Sequence, residues 1–195
     1  MIAVPQRFSP LQRLLHWLMA ACLIAMLFIG VGMVSTVTPS YLALVTIHKT
    51  LGVAILVLVL VRLALRLRFG APPLPADLPQ PLKLAAHLSH YALYGLMIVM
   101  PLLGWAMLPA ANYPVVLYGH IFLPAILPQS DGLHTLLWNA HHYLAFAFFA
   151  LVLLHVAAAL FHGLVRRDGV FETMAPLPLR DETAPVVTVD GTSAT

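Results

Sequence analysis

Four long apolar runs, at residues 14–34, 42–65, 84–108 and 138–165, limit what this chain can become before any single residue is considered. Each is long enough to supply the ~20 residues that cross a ~30 Å hydrocarbon core. The whole sequence is 61% hydrophobic and only 9% charged, far below the roughly 25% charged content of a soluble domain. The runs are continuous and lack the ten-residue alternation of transmembrane strands, so a β-barrel does not compete. The expected fold is an all-α membrane protein, a bundle of four transmembrane helices at about 10–34, 42–68, 83–108 and 136–166.

The first run reads as a retained helix and not a signal peptide, because it is too long, starts well inside the chain and lacks a small-residue cleavage site. Ser9 as N-cap, Pro10 at the first helical position and Gln12 three residues after the cap form a capping-box pattern that starts the helix near Pro10. Residues 71–81 (APPLPADLPQP) are a proline-rich linker. Residues 109–135 hold Pro109, Pro114, Pro124 and Pro128 and are expected as a loop over the outer mouth. Residues 1–174 then form one membrane domain, and 175–195, without periodicity, a disordered tail. There is no internal repeat of the kind inverted-repeat transporters carry, and the lone Cys22 has no disulfide partner.

Basic residues orient the bundle, since Lys and Arg stay on the cytoplasmic side. Arg7 and Arg13 precede helix 1, Arg62, Arg66, Arg68 and Lys83 surround the connection of helices 2 and 3, and Arg166, Arg167 and Arg180 follow helix 4. Only Lys49 lies at the other end. Both termini are therefore expected in the cytoplasm, and the net charge of +3 follows from this asymmetry and calls for no nucleic-acid partner.

Ten histidines are the next feature, because ionisable side chains inside a membrane are costly and usually functional. His141 and His155 stand fourteen positions apart on helix 4, hence on nearly one face and roughly 21 Å apart in height. His16 matches the depth of His155 near the cytoplasmic side, and His48 matches that of His141 near the outer side. Two histidines from different helices fill both axial positions of a haem iron, which favours electron transfer over oxygen binding. The ordinary reading of any single one of them is a hydrogen bond to a neighbouring helix. Four at two matched depths point instead to two stacked haem sites. Gly52, one turn after His48, either lets a flat macrocycle approach or only packs helices closely. Arg62, fourteen residues after His48, either pairs with a haem propionate or snorkels to the cytoplasmic interface.

The segments FSPLQRLLHW (8–17), IHKTLG (47–52), AHLSHYALY (86–94) and HHYLAFAFFALVLLHVAAALFH (141–162) resemble the bacterial cytochrome b561 family over about residues 7–170. The resemblance implies a four-helix inner-membrane protein with two haem b groups, His16 and His155 ligating the cytoplasmic-side haem and His48 and His141 the periplasmic-side one. It also makes His90 and His162 neighbours of a quinone near the cytoplasmic haem, with interfacial capping contacts as the ordinary alternative. His142 remains a rival to His141. His87 and His90 form an H-x-x-H that could hold zinc, although no carboxylate or cysteine accompanies it. His120 and His134 are expected in solvent, Trp17 either on a porphyrin or among helices, and Trp105, Trp138, Tyr41, Tyr113 and Tyr118 in an outer aromatic belt.

The implied function is electron transfer from a periplasmic one-electron donor to ubiquinone. The resembling family includes superoxide oxidases, but an anionic donor would be drawn to a positive mouth, and Lys49 is nearly alone there against Asp131. Two other readings stand beside it: an electron-transfer subunit of a larger dehydrogenase or partner of another periplasmic redox protein, and a haem-free channel, carrier or metal-binding membrane protein.

Overall fold

A computed structural model describes residues 7–176. Four helices long and apolar enough to cross a membrane dominate it: α1 (Pro10–Ser35), α2 (Ser40–Phe69), α3 (Gln80–Ala110) and α4 (Asp131–Leu160). Ser9 Oγ accepts from the Gln12 amide while the Gln12 side chain accepts from the Ser9 amide, closing the expected capping box. Gln12 is buried and also donates to the Gly70 carbonyl, so one residue starts α1 and clamps the end of α2. There Gly70 takes a left-handed φ of 70° and its amide bonds the Arg66 carbonyl, a conformation glycine adopts without a Cβ penalty.

The helices extend beyond the expected bounds. Helix α4 begins at Asp131 and not near 136, because Ser130 Oγ caps it by accepting from the Leu133 amide and Asp131 places negative charge at the positive helix end. The remainder of the expected 109–135 loop holds a two-stranded antiparallel hairpin, β1 (Val115–Leu117) with β2 (Ile121–Leu123), in the register Val115↔Leu123, Val116↔Phe122 and Leu117↔Ile121. Tyr118 and Gly119 both have positive φ and the His120 amide bonds the Leu117 carbonyl, which is a type I′ turn. His134 is thereby not a solvent-facing loop residue: it lies in the first turn of α4 and its Nδ1–H donates to the Met107 carbonyl of α3 at 2.9 Å.

Consecutive helices pack together, α1 on α2, α2 on α3 and α3 on α4. The core is thin: Leu15, Met19, Val59, Leu93, Met97, Met100 and Phe148 form it, while Phe28, Leu154 and most other large apolar residues point outward, as a lipid solvent allows. Helix α4 passes into a π-helical turn at Phe161–Arg166 and then, through Arg167 and Gly169 in left-handed conformations, into a short helix α5 (Val170–Met174).

That last segment folds back on α1. The Phe8 amide bonds the Thr173 carbonyl, Arg7 the Glu172 carbonyl, Arg13 the Ala175 carbonyl and Trp17 Nε1 the Met174 carbonyl. Ala175 is fully buried, so the ordered fold runs past 174; residues 177–195 of the expected tail lie outside the described residues.

Candidate functional site

Helix α4 approaches α3 closely along its length but stays wide of α1 and α2, and across those two gaps histidines meet. His155 of α4 faces His16 of α1 with ring centroids 6.3 Å apart and planes at 71°. His141 of α4 faces His48 of α2 at 6.1 Å and 67°. The pairing expected from depth alone is the pairing the bundle makes. His142 turns outward instead, exposed and stacked edge-on against Tyr143 and Phe146, which leaves His141 as the inward ring.

The two pairs fit a metal held between imidazoles. Bonds of about 2 Å from one nitrogen of each ring to a shared ion set the ring centroids about 6 Å apart, close to both separations. His48 Nδ1 is buried without a hydrogen-bond partner, and His141 Nδ1, on the side of the Met100 carbonyl, makes no hydrogen bond of normal geometry. Such unpartnered nitrogens are uncommon in an interior, and His48 Nδ1 in particular fits a donor left for a bound group. A Cβ on Gly104 of α3 would sit 3.5 Å from His141 Cε1, at ordinary van der Waals distance, so this position, not singled out in the sequence, brings α3 up against the outer ring. Gly52, by contrast, has only Met26 Cε within reach of an added Cβ, at 3.8 Å. Among the described residues no group of three or more His, Cys, Asp or Glu could hold a metal ion. The sites are pairs, the donor set of a bis-histidine haem, and the H-x-x-H of His87 and His90 gains no further zinc ligand.

The inner pair has company. His90 of α3 packs its ring 5.4 Å from that of His155, closer than His16, and its Nδ1–H donates to the Ala86 carbonyl at 2.6 Å, which fixes the tautomer and frees Nε2. Arg62 reaches the same level, donating from Nε to Tyr94 Oη at 3.0 Å and from Nη1 to the Gln12 carbonyl at 3.3 Å. It bridges α1, α2 and α3 beneath the inner rings, which is more than a snorkelling arginine does. Trp17 touches His16 edge-on at 5.6 Å, yet its Nε1 is committed to Met174; it ties the C-terminal segment to the inner site.

His162 lies apart from His90, with no ring contact or hydrogen bond joining them among the described residues. Its Nδ1–H donates to Asp168 Oδ2 at 2.8 Å, the same oxygen that accepts from Arg166 Nε at 2.8 Å, while Arg166 Nη2 reaches Asp77 of the α2–α3 linker at 2.9 Å. Burial pushes the Asp168 pKa up, but hydrogen bonds from Arg166, His162 and the Val170 amide outweigh it and hold the carboxyl below its ordinary range. The sequence does not mark this network, because Asp168 sits beyond the apolar run and pairs through a π-turn that periodicity cannot reveal.

The fold and site define a class: a membrane-spanning helical bundle that presents paired imidazoles at two heights along one helix. The chain belongs to the prokaryotic cytochrome b561 family, whose model matches residues 7–176, and so to a family of b-type haem proteins that transfer electrons in bacterial membranes. It is 27% identical to cytochrome b561 homolog 2 of Escherichia coli K12 over 87% of this chain and 92% of that one. It is 29% identical to cytochrome b561 homolog 1 of the same organism, over 87% and 97%. It is 31% identical to a protein of Yersinia pestis named probable superoxide oxidase CybB, over 88% and 97%.

Proposed function

We propose that this chain carries electrons across the inner membrane through two haem b groups, from a one-electron donor at the periplasmic end to ubiquinone at the cytoplasmic end, with both termini in the cytoplasm. The observation that carries the reading is the pair of facing ring sets, His16 with His155 and His48 with His141, at 6.3 and 6.1 Å. Haem bound there supplies reversible one-electron iron chemistry. His16 and His155 would hold the haem of the inner site, and His48 and His141 that of the outer site. Arg62, anchored by Tyr94 and the Gln12 carbonyl, offers its guanidinium to a propionate at the inner level. His90 and His162 flank the acceptor side, where a quinone takes up protons, and Asp168 holds His162 in one tautomer.

Superoxide is the donor suggested by the name of the Yersinia pestis relative. A second reading is that this chain serves a periplasmic redox protein or a larger dehydrogenase. The outer end favours it, since Lys49 and Asp131 there nearly balance and offer little attraction to a small anion.

Dithionite-reduced minus oxidised spectra with a pyridine haemochrome assay test the reading. Two b-type haems per chain are expected, and purification without haem from haem-replete cells would falsify it. His48→Ala or His141→Ala removes one haem and His16→Ala or His155→Ala the other; retention of both by His141→Ala refutes its assignment. Stopped-flow reduction by superoxide against reduction by a co-purifying protein separates the two donors.

A further inference from the structure

The hairpin at the His48–His141 end is apolar on both faces, which is unusual for strands at a membrane's aqueous boundary. Cross-strand partners share a face, so Val115, Leu117, Ile121 and Leu123 lie on one side and Val116 and Phe122 on the other. A hairpin with one solvated side alternates apolar with polar residues, and this one does not. The first face is covered on its β1 side, where Val115 and Leu117 are buried and β1 packs on α2 and α3, while Ile121 of β2 is exposed. The second is only partly covered among the described residues, Val116 being half-buried. Phe122 is 70% exposed and Tyr118 at the turn 68%. No Asp, Glu, Lys or Arg occurs anywhere between Lys83 and Asp131.

The height of the hairpin decides what covers it. Trp105 Nε1 donates to the Pro124 carbonyl, just after β2, at 2.9 Å. Trp105 lies five residues before the end of α3 at Ala110, about 7–8 Å down the helix. The exit from β2 is therefore level with the last turns of a membrane-spanning helix and beside it, not stacked above the bundle. The last turns of α3 there carry no charged residue, and a tryptophan with one bonded N–H is a usual marker of the membrane interface. The geometry points to the β1–β2 hairpin as a membrane-seated element, with Tyr118 and Phe122 buried in the headgroup and upper acyl region of the leaflet at the His48–His141 end. Its occupant is the bilayer itself, continuous with the lipid-facing surface of α3. Apart from His120 at its turn, the hairpin is aromatic and apolar and has the composition of an interfacial anchor, with no Asp, Glu, Lys or Arg for an ionic partner.

The test uses the full chain in phosphatidylcholine nanodiscs, with Cys22→Ala removing the native thiol and a nitroxide on Phe122→Cys or, separately, Tyr118→Cys. Power-saturation EPR compares collisions with oxygen, which concentrates in lipid, and with a nickel chelate, which stays in water. References are Phe28→Cys on the outward face of α1 and Ala76→Cys in the exposed linker. The expected oxygen-to-nickel ratio at both hairpin sites is several-fold above that at residue 76 and approaches that at residue 28. A ratio equal to that at residue 76 overturns the proposal in favour of a hairpin in water. Exclusion of both reagents overturns it in favour of a protein cover, whether a second copy or another chain. Helix content by circular dichroism verifies folding of each labelled variant, and because neither label requires haem, the outcome stands apart from the electron-transfer reading.

Discussion

Gly163 is where a single methyl group acts on the whole C-terminal segment. A Cβ added there would stand 3.1 Å from Phe171 Cγ and 3.3 Å from Phe171 Cβ. The Phe171 Cβ is fixed to the backbone of α5, so rotation of its ring cannot relieve both contacts and α5 itself must shift. Overpacking of this kind costs about 1–3 kcal/mol. The gain in helix propensity from glycine to alanine, up to about 1 kcal/mol, applies to the π-turn whether α5 is docked or not and so leaves the docking equilibrium untouched. Against the strain stand the bonds from Arg7, Phe8, Arg13 and Trp17 to carbonyls 172–175, each about 1 kcal/mol for neutral donors and 1.5–3 for the arginines. Gly163→Ala therefore weakens the docked state without abolishing it. Local opening becomes about 5- to 150-fold more frequent, since each 1.4 kcal/mol is a factor of ten. Hydrogen exchange of peptides spanning 169–176 in nanodiscs reads this directly, with the middle of α2 as an unaffected control. Unchanged or stronger protection of 170–175 in the variant would refute the reasoning, because it would mean that α5 does not bear on Gly163.

Asp168 makes the same region sensitive to acid. Its folded pKa lies below the ordinary carboxylate value, so its contribution is present above that ordinary value, about 3.9, and is lost as pH falls through the depressed one; exchange at 168–173 should rise only below about pH 4, and Asp168→Asn should remove that acid step. Arg62→Met leaves Tyr94 Oη and the Gln12 carbonyl without their donor and takes a positive charge from the inner level, so the inner haem's midpoint should fall by some tens of millivolts, on a scale of ~59 mV per tenfold for one electron, while the outer one holds; potentiometric titration showing the outer step moved instead contradicts the placement of Arg62. His142→Ala, on an exposed ring, should change thermal stability in detergent by no more than about 0.5 kcal/mol and leave the haem content of the wild type. Gln12→Leu loses the capping box and the bond to Gly70, about 1–2 kcal/mol together, and a melting temperature equal to wild type would show that these bonds contribute nothing.

The helices and the histidine pairs were legible because each depends on periodicity alone: apolar runs set the spans, and a spacing of fourteen puts His141 and His155 on one face whatever surrounds them. The capping box at Ser9 and Gln12 is equally local. The hairpin escaped because VVL and IFL are short apolar triplets around Tyr118-Gly119, and neither an Asn-Gly nor an Asp-Gly pair marks the turn. Ser130 as a cap escaped for a similar reason, since no Glu or Gln follows at the third position. The contact of His90 with His155, the approach of Gly104 to His141 and the docking of α5 on α1 are tertiary facts. They join residues that periodicity treats separately, and only the angles between helices determine them.

On the proposed reading one helix, α4, carries an iron-binding ring for each level, His141 and His155, and this makes α4 a ruler. Between His141 and His155 the separation is set by covalent geometry and backbone hydrogen bonds, fourteen rises of about 1.5 Å, and not by how thick the surrounding bilayer is or how loosely the other helices pack. The spacing of the two proposed sites is thus set within α4 itself. It is also quantised: inserting or deleting one residue in that stretch would swing one ring by about 100° out of its gap and forfeit a whole site. Outward residues within the segment, such as Leu154, can be exchanged more freely, but its length cannot drift.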